Sequence, residues 1–476
     1  MENRTIYENL SPLDHRYYIS NRKEFSELSR YLSESANIRY CALVEAALLK
    51  THITFFLDND KEKMEAVDKI VEEIDCDEVY REEEKTQHNI RALVNVITKK
   101  VPSELQPYVH LGATSVDILD TSLSLRIRDA VRRVILPLLL EVLDRLITLA
   151  EENAETPQAG RTHGQLAVPI TVGFAFSEYV ARLGKSILEI ERRSQDVRGQ
   201  LSGAVGAYNA TSLMVDDPVA FEKEFCTFLN LKPSEYSNQL IEPEYTLRLL
   251  LEINVAFGII ANLADDLRNL QRSEIAEVKE AFGKQQVGSS TMPHKRNPWN
   301  SEHVKSLWKA FFPRVMSFFM DQISEHQRDL TNSASSRFIA DYLSGFTAAA
   351  ARLRKVLSNL TVDHEKLAYN LSLNGDMPLS EAAYILLAVS GVPEAHEIVR
   401  KITLECEEQG VRLVEQLQKY SEYWEKIENQ LKITVNIPAE EFFSKPEYYC
   451  GKAAERAKQI AAKYRKVHNS IQEVLK

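Results

Sequence analysis

Apolar residues recur every three or four positions along several long stretches of the chain. The clearest stretch covers residues 123–151, where Val131, Ile135 and Leu138 belong to one wide apolar face, and this spacing predicts an α-helix. Pro137 lies inside the stretch and predicts a kink or break there. The same periodicity predicts four further helices, over residues 170–201, 245–282, 299–330 and 336–360. Helices of about 30 residues would be about 45 Å long, so the pattern predicts an extended helical bundle.

Several of these helical faces are apolar over more than half a turn, which is more than one bundle can bury. We therefore expect the long helices to pack against copies of themselves. From about residue 363 onward the pattern shortens, with loops expected at residues 374–376 and 435–438. The 476 residues suggest about three domains or one extended fold.

The composition supports a mostly helical protein and argues against some classes of binding partner. Glycine and proline number only 16 each, so residues that break helices are scarce. The net charge of −11 argues against nonspecific binding to nucleic acid or to an anionic membrane. The five cysteines are far apart, and neither the first residues nor any later stretch forms an apolar run of about 18 residues. We expect a protein of a reducing compartment, most simply the cytoplasm.

One polar segment, residues 288–298 with the sequence GSSTMPHKRNP, combines hydroxyls, cations, a histidine and an amide within a loop between two predicted helices. Loops held by rigid elements commonly carry catalytic groups. On composition alone, a basic surface loop is the more frequent explanation.

Three more polar segments interrupt the apolar pattern. They are GRTHGQ at residues 160–165, TQHN at residues 86–89 with His110, Thr114 and Ser115 beyond it, and QRDLTNS at residues 327–333. His163 in the first could exchange a proton near neutral pH, although most isolated histidines are structural or exposed. Ser333 and Arg337 would share a helical face and could hold an anion; an ordinary helix cap beside a solvated arginine is the alternative.

Other kinds of chemistry lack their motifs. The sequence has no GxxxxGK[ST], no GxGxxG opening a helix, no GxSxG, no HExxH and no Cys/His cluster. We therefore expect no metal and no cofactor, and a site that works with side-chain acids, bases and anion-binding groups.

The segment GSSTMPHKRNP resembles the signature loop of the fumarase/aspartase superfamily. Its MPHKRNP form is similar to that of adenylosuccinate lyases and of carboxymuconate cycloisomerases, and the lyase-like segments RTHGQ and TQHNIRA favour the former. SPLDHRYY resembles the N-terminal substrate-binding stretch of these lyases, while GAVGAYNA and QRDLTNS resemble a bacterial-type branch. The resemblance extends from about Leu10 to Arg337.

This resemblance implies an all-α, three-domain fold whose long central helices assemble into a homotetramer. The parts would be an N-terminal helical domain at residues 1–112, a central bundle at 113–363 and a C-terminal helical domain at 364–476. Each active site would combine segments of three subunits. The implied partner is a small substrate, a succinylated purine nucleotide, with no nucleic acid and no membrane.

The implied reaction is β-elimination of fumarate from adenylosuccinate to give AMP, and from the succinylated aminoimidazole carboxamide ribotide of purine synthesis. By match to the family loop, Ser289 would be the general base, with Lys295 and loop amides stabilising its alkoxide. Lys295 and Asn297 would hold the carboxylate whose charge grows. His163 would be the general acid, oriented by Glu302.

The resemblance also implies residues that bind the substrate. His88 and His110 would position it, Thr114 and Ser115 would bind a carboxylate, and Gln239 would contact the succinyl part. Arg16, Tyr17, Ser333 and Arg337 would grip the phosphate and ribose. Asn89 and Thr162, which adjoin the histidines of their motifs, complete the expected set.

Three positions depart from the pattern of the family. Asn89 replaces the acid that often follows this histidine, and Asn332 stands where an aspartate is common. His303 occupies a variable position to which we assign no role.

Two alternatives remain open at this point. One is another lyase of the superfamily, such as an argininosuccinate lyase, or a carboxymuconate cycloisomerase. The other is a non-catalytic protein built on the same scaffold, which the presence of Ser289, Lys295 and His163 disfavours.

Overall fold

The computed structural model describes residues 5–283 and 288–476, and most of them are helical. The predicted all-α class is confirmed. The first part of the chain forms six helices, which are α1 (Tyr18–Ser20), α2 (Arg22–Leu32), α3 (Glu34–Phe56), α4 (Lys61–Glu72), α5 (Cys76–Thr86) and α6 (Asn89–Lys100).

The described residues in the middle of the chain form eight helices. They are α7 (Ser115–Ala130), α8 (Leu136–Glu152), α9 (Val172–Ser194), α10 (Pro218–Phe228), α11 (Glu244–Leu270), α12 (Trp299–Phe311), α13 (Val315–Met320) and α14 (Ile339–Ser358). A π-helical turn, Val131–Ile135, separates α7 from α8, and Pro137 lies in the first turn of α8. A proline is tolerated there because the first amides of a helix have no partner within it. The regular α-helix is interrupted by this π-helical turn just before Pro137, but the backbone stays helical through it, and the predicted kink or break at Pro137 itself stays a prediction.

The last part of the chain forms seven helices. They are α15 (His364–Ser372), α16 (Ser380–Val389), α17 (Ala395–Gln409), α18 (Leu413–Lys419), α19 (Ser421–Thr434), α20 (Ala439–Ser444) and α21 (Ala453–Leu475). Helices α16–α20 bury a small apolar core of their own, whereas α21 returns to pack on α8 and α9.

Within residues 5–283 and 288–476, six short strands form three two-stranded pairs. The strands are β1 (Pro157–Thr162), β2 (Gln165–Thr171), β3 (Arg198–Gly199), β4 (Lys232–Pro233), β5 (Val278–Lys279) and β6 (Thr361–Val362). β1 and β2 form an antiparallel hairpin, β3 and β4 pair in parallel, and β5 and β6 pair antiparallel.

The largest core lies where α8, α9, α11 and α14 pack together. Leu139, Leu143 and Leu146 of α8 are fully buried at helical spacing, which is the face that the sequence pattern predicts. A second core joins α3, α6, α7 and α10. Burial of these faces fixes the helix ends from which the polar loops project.

Four of the predicted helices are shorter than expected, and the stretch 336–360 is α-helical only from Ile339 to Ser358. The stretch 245–282 is helical only to Leu270, because the segment beyond it turns and forms β5. In the stretch 299–330 the first helix ends at Phe311. Pro313 lies in the 3-10 turn that follows, and because proline has no backbone N–H it cannot donate the hydrogen bond that would continue the α-helix. The stretch 170–201 begins two residues late, because Ile170 and Thr171 complete β2.

By length and composition alone, one helix of the described chain, Glu244–Leu270, is apolar enough to cross a membrane. Its apolar window is 67% buried inside the protein, as expected of a core helix.

Gly184 of α9 faces the ring of Tyr464 of α21, and a Cβ at this position would overlap the ring carbons. We expect Gly184→Ala to lower the free energy of unfolding by about 1–3 kcal/mol, because overpacking forces neighbours out of place. Urea denaturation measures this loss. In a Tyr464→Leu background the same substitution should cost less. An equal cost in both backgrounds would contradict the contact as the cause.

Candidate active site

The segment 288–298 forms a loop whose two ends are tied together just before α12. The amide of Asn297 donates to the carbonyl of Gly288 at 3.1 Å. Gly288 has no side chain, and a Cβ there would collide with the carbonyl oxygen of Lys295. The glycine and the asparagine of the motif therefore close the neck of this loop.

Ser289 lies half-buried inside that neck. Its Oγ accepts the backbone N–H of Met292 at 3.0 Å and that of Thr291 at 3.4 Å. Backbone N–H groups aimed at an oxygen stabilise negative charge on it, so this hydroxyl is placed to lose a proton. The side chain of Lys295 is exposed, and in the described residues no hydrogen bond joins it to Ser289.

His163 lies at the tip of the hairpin formed by β1 and β2. His163 and Gly164 are the two turn residues, with φ angles of 53° and 77°, and positive φ at both positions is typical of a tight type I′ turn. Thr162 and Gln165 pair across the turn. The imidazole is exposed, on a turn that holds it away from the body of the chain. The apolar periodicity of the sequence does not predict this hairpin.

An ion pair between the half-buried Arg161 and the fully buried Glu277 anchors the base of this hairpin. Arg161 donates to both carboxylate oxygens of Glu277, at 2.6 and 3.1 Å, and Gln158 donates to the same carboxylate at 2.7 Å. Asn370 of α15 donates to it at 2.8 Å. Glu277 immediately precedes β5, so one buried carboxylate joins the hairpin, the segment before the loop and α15.

A second group of predicted residues, His88, His110, Thr114 and Ser115, lies where α6 and α7 begin. We call it the N-terminal cluster. His88 caps α6 by accepting the backbone N–H of Arg91 at its Nδ1, 3.2 Å away, and its Nε2 is 3.5 Å from the Oγ of Ser115. Thr114 caps α7. Helix N-termini present free N–H groups and favour anions, which suits a carboxylate-binding role.

His110 of the N-terminal cluster contacts a buried carboxylate. Its Nδ1 is 2.7 Å from Oε1 of Glu45 on α3. Burial opposes the charged form of this imidazole, but the hydrogen bond and the charge of Glu45 outweigh burial and raise the pKa of His110. Asn89 is exposed, and its Oδ1 accepts only the adjacent backbone N–H of Ile90.

Asp117 ties the N-terminal cluster to the segment that resembles the family's GAVGAYNA stretch. Its carboxylate accepts the N–H of Thr114 at 2.8 Å, of Ser202 at 3.1 Å and of Gly203 at 3.4 Å. Burial raises the pKa of Asp117 to about 6 despite these donors. Asp117 itself was not among the residues expected from the sequence; its position three residues after a cap threonine is the signal that could have found it.

Gln239 lies beside the same segment, with its side-chain amide fully engaged. Its Nε2 donates to the carbonyl of Ala204 at 2.9 Å, and its Oε1 accepts from Arg328 at 2.8 Å. Gln239 thus joins the polar segment 327–333 to the segment that begins at Gly203.

Ser333 and Arg337 are both exposed, but they do not share a helical face. Ser333 lies in a turn, and Arg337 lies in the 3-10 turn Ser335–Phe338. The predicted i, i+4 pairing on one helix is therefore wrong, because α14 begins only at Ile339. Asn332 lines a small, mainly apolar cavity together with Asp321 and Ser336.

Arg16 and Tyr17 belong to a π-helical turn, Leu13–Tyr17, that lies against the start of α12. The hydroxyl of Tyr17 is 3.0 Å from Nε2 of His303. Burial and the charges of Arg352 and Arg16 lower the pKa of His303. Cations therefore gather just beyond the loop, and His303, to which the sequence assigned no role, contacts one of the predicted substrate-binding residues.

The chain thus forms separate groups of candidate residues. Among the residues that the structure describes, no hydrogen bond or ion pair joins Ser289 or Lys295 to His163, and Glu302 is exposed without a contact to His163. Within residues 5–283 and 288–476 no group of three or more His, Cys, Asp or Glu side chains could hold a metal ion.

Asp117→Asn should destabilise the segment around Gly203. One amide oxygen cannot accept three backbone N–H groups, and each unpaired buried donor costs about 1–3 kcal/mol. Hydrogen exchange at Ser202 and Gly203 should accelerate, and urea denaturation should show the loss of stability.

Asp217→Asn is the matched control, because Asp217 accepts one N–H as the cap of α10 and asparagine caps helices equally well. Unchanged exchange at Ser202 in Asp117→Asn would contradict the role of this carboxylate.

Two family profiles match this chain. Residues 16–310, more than half of it, match a family described as "Lyase", and residues 324–436 match one described as "Adenylosuccinate lyase C-terminal". The adenylosuccinate lyase of Pyrococcus abyssi is 33% identical over 461 residues, covering 94% of this chain and 96% of that relative. The adenylosuccinate lyase of Archaeoglobus fulgidus is 32% identical over 460 residues, covering 94% and 97%.

Solved structures show the same fold at lower identity. The 3-carboxy-cis,cis-muconate lactonizing enzyme from Pseudomonas putida has a TM-score of 0.76 at 22% identity, covering 96% of this chain and 100% of that one. The fumarate lyase from Mesorhizobium sp. BNC1 has a TM-score of 0.77 at 20% identity, covering 92% and 97%. These likenesses confirm the predicted fold, and the sequence matches over nearly the whole chain narrow it further: the chain belongs to the adenylosuccinate lyase branch of the fumarase/aspartase superfamily.

Proposed function

We propose that this protein is a carbon–nitrogen lyase that eliminates fumarate from adenylosuccinate to give AMP, and that it also acts on the succinylated aminoimidazole carboxamide ribotide. The observation that carries the proposal is the loop 288–298, in which the hydroxyl of Ser289 faces two backbone N–H groups. Relatives that match nearly the whole chain are named adenylosuccinate lyases, which supports this substrate.

The elimination begins when a base removes the proton from the carbon next to a carboxylate. Ser289 is this base in our proposal. A serine hydroxyl is a weak acid, and its two N–H donors supply part of the stabilisation that its alkoxide requires. Lys295 and Asn297 hold the substrate carboxylate on which charge accumulates. Lys295 is exposed on this loop, so its ammonium group is open to a substrate that binds there.

The reaction is completed when an acid protonates the departing nitrogen. His163 is the acid, and an imidazolium near neutral pH suits an amine leaving group. Glu302 of another subunit orients it. Acid and base on opposite faces of the substrate give an anti elimination.

The rest of the substrate is held by the remaining candidate residues. In the N-terminal cluster, His88 and His110 position the substrate, and Thr114 and Ser115 bind one of its carboxylates. Gln239 contacts the succinyl part, and Asn89 and Thr162 complete the binding set. Arg16, Tyr17, Ser333 and Arg337 bind the phosphate and ribose, since arginine forms bidentate contacts with such groups.

We further propose that the protein is a homotetramer whose active sites are shared between subunits. The support is twofold: the candidate groups lie apart in one chain, and apolar side chains are exposed beside them. Ile323 is 80% and Leu330 68% exposed near Ser333, and Val255 of the bundle helix α11 is 52% exposed. Burying such a surface favours association. The proposed domain limits remain 1–112, 113–363 and 364–476, and the proposed location is the cytoplasm.

Purified protein incubated with adenylosuccinate should release AMP and fumarate. Ultraviolet absorbance measures the rate of this release, and product analysis identifies the two products. Ser289→Ala and His163→Ala should each lower kcat by at least about 10²–10⁴-fold, the usual contribution of a general acid or base. The neighbouring Ser290→Ala is the control and should retain activity, because Ser290 is exposed and has no assigned role.

Activity near the wild-type level in Ser289→Ala or His163→Ala would contradict the assigned role. Turnover of argininosuccinate or of a carboxymuconate in place of adenylosuccinate would identify a sister activity, and failure on all three substrates would favour the non-catalytic scaffold.

Mixed tetramers test whether sites are shared. Inactive Ser289→Ala and inactive His163→Ala proteins, exchanged by mild denaturation and refolding, should regain part of the activity, because some mixed sites contain both native groups. Native mass spectrometry verifies the exchange. Verified mixing without any recovery would mean that each site is built from one chain.

A further inference from the structure

Glu45 is a buried carboxylate in the middle of α3. Its side chain is 1% exposed, and its Oε1 is 2.7 Å from Nδ1 of His110. Its second oxygen, Oε2, is buried without a hydrogen-bond partner among the described residues. An ionised carboxylate in such a place is costly unless a charge compensates it, and His110 is the group within reach.

The backbone around His110 is held from the same helix. His110 has a φ of 58°, in the left-handed region that side chains other than glycine adopt rarely. The next residue, Leu111, accepts a hydrogen bond at its carbonyl from Nε2 of His52, 3.0 Å away. His52 and Glu45 are seven residues apart on α3, two turns along one face. This arrangement fixes Nδ1 of His110 on Glu45 and leaves Nε2 for another partner.

The other charged groups around His110 act in both directions. Arg91 of α6 opposes its protonation and Asp117 of α7 favours it, but Glu45 contributes more than either. His52 of α3 stays neutral, because burial lowers its pKa to about 4. Glu45 is therefore the group that most strongly favours the protonated form of this imidazole.

His88 in the same N-terminal cluster is held differently. Its Nδ1 accepts the N–H of Arg91 at 3.2 Å, which places the hydrogen of the neutral ring on Nε2. The cluster thus contains one histidine that receives a backbone donor and one that donates to a carboxylate. The two rings cannot have interchangeable roles.

We propose that Glu45 is a positioning residue that keeps His110 as an imidazolium, so that the N-terminal cluster offers an anionic group of the substrate a fixed positive charge. This inference rests on the proposed function for the identity of the substrate. Glu45 touches no substrate itself and acts through His110. It sets the charge and the orientation of one ring, while the ring of His88 is oriented by the backbone N–H of Arg91.

Above the midpoint of His110 the cation is lost, and the substrate should bind more weakly. The sign follows from the raised pKa: the charged form is present at lower pH and disappears as the pH rises through the midpoint. An opposite charge in contact moves a midpoint by about 1–3 pH units. Each unit reduces the cationic fraction about tenfold above the midpoint.

The test compares wild type with Glu45→Gln, which keeps the shape and removes the charge. Selective isotope labelling of the 11 histidines allows each ring to be titrated by nuclear magnetic resonance, with His110→Gln used to assign the signal. We expect the midpoint of His110 to fall by about 1–3 pH units in Glu45→Gln. The midpoint of His88 should not move and is the internal control.

Kinetics provide a second readout. In Glu45→Gln, KM should rise by about tenfold at pH values between the two midpoints, while kcat stays nearly constant. In a His110→Gln background the same substitution should leave KM unchanged. Glu45→Asp, which keeps the charge on a shorter side chain, should titrate between wild type and Glu45→Gln, and it replaces Glu45→Gln if that variant does not fold.

An unmoved midpoint of His110 in the folded variants would overturn the proposal. So would a loss of kcat without a shift in the pH profile of KM, which would indicate a structural role alone. The titration needs no substrate, so a protein inactive on adenylosuccinate would refute the proposed function and still decide whether Glu45 charges His110.

Discussion

The candidate active site depends on one buried carboxylate more than on any other group. Glu277 is fully buried and binds Arg161, Gln158 and Asn370. Through these contacts it joins the hairpin that carries His163, the approach to the loop and α15. A buried ion pair contributes little net stability but strongly disfavours any arrangement that breaks it. Its effect here is to leave a single geometry for the elements that carry the chemistry.

Buried carboxylates that hold neighbouring segments by hydrogen bonds also occur around the N-terminal cluster. Asp117 accepts hydrogen bonds from backbone N–H groups of two segments. Glu222 accepts hydrogen bonds from the N–H of Leu201 and the hydroxyl of Tyr208. Glu45 accepts a hydrogen bond from the imidazole of His110. Loops leave backbone donors without partners, and an acid on a rigid helix can satisfy several of them at once. Helices packed in the apolar cores therefore place loop residues with the accuracy of the helices themselves.

The sequence predicts the parts of this structure that depend on local pattern. The buried face of Leu139 and Leu143 follows from the spacing of apolar residues. The irregular helical turn just before Pro137 follows from backbone chemistry, and the loop at 288–298 is marked by its unusual composition. The hairpin at 157–171 escapes prediction because Ile170 and Val172 continue the apolar periodicity of α9. The contact of Glu45 with His110 joins residues 65 positions apart, and no single sequence reveals such a pairing.

The main apolar core of this fold is completed only when the last helix, α21, packs onto it. Its residues Ala461, Tyr464 and Ile471 belong to the same core as Leu13 and Phe25 near the other end of the chain. During synthesis on the ribosome, α8 and α9 emerge about 300 residues before the helix that covers them, and at about 5–20 residues per second this takes tens of seconds. For that interval their apolar flank faces water, so a nascent chain of this kind is a natural client for chaperones.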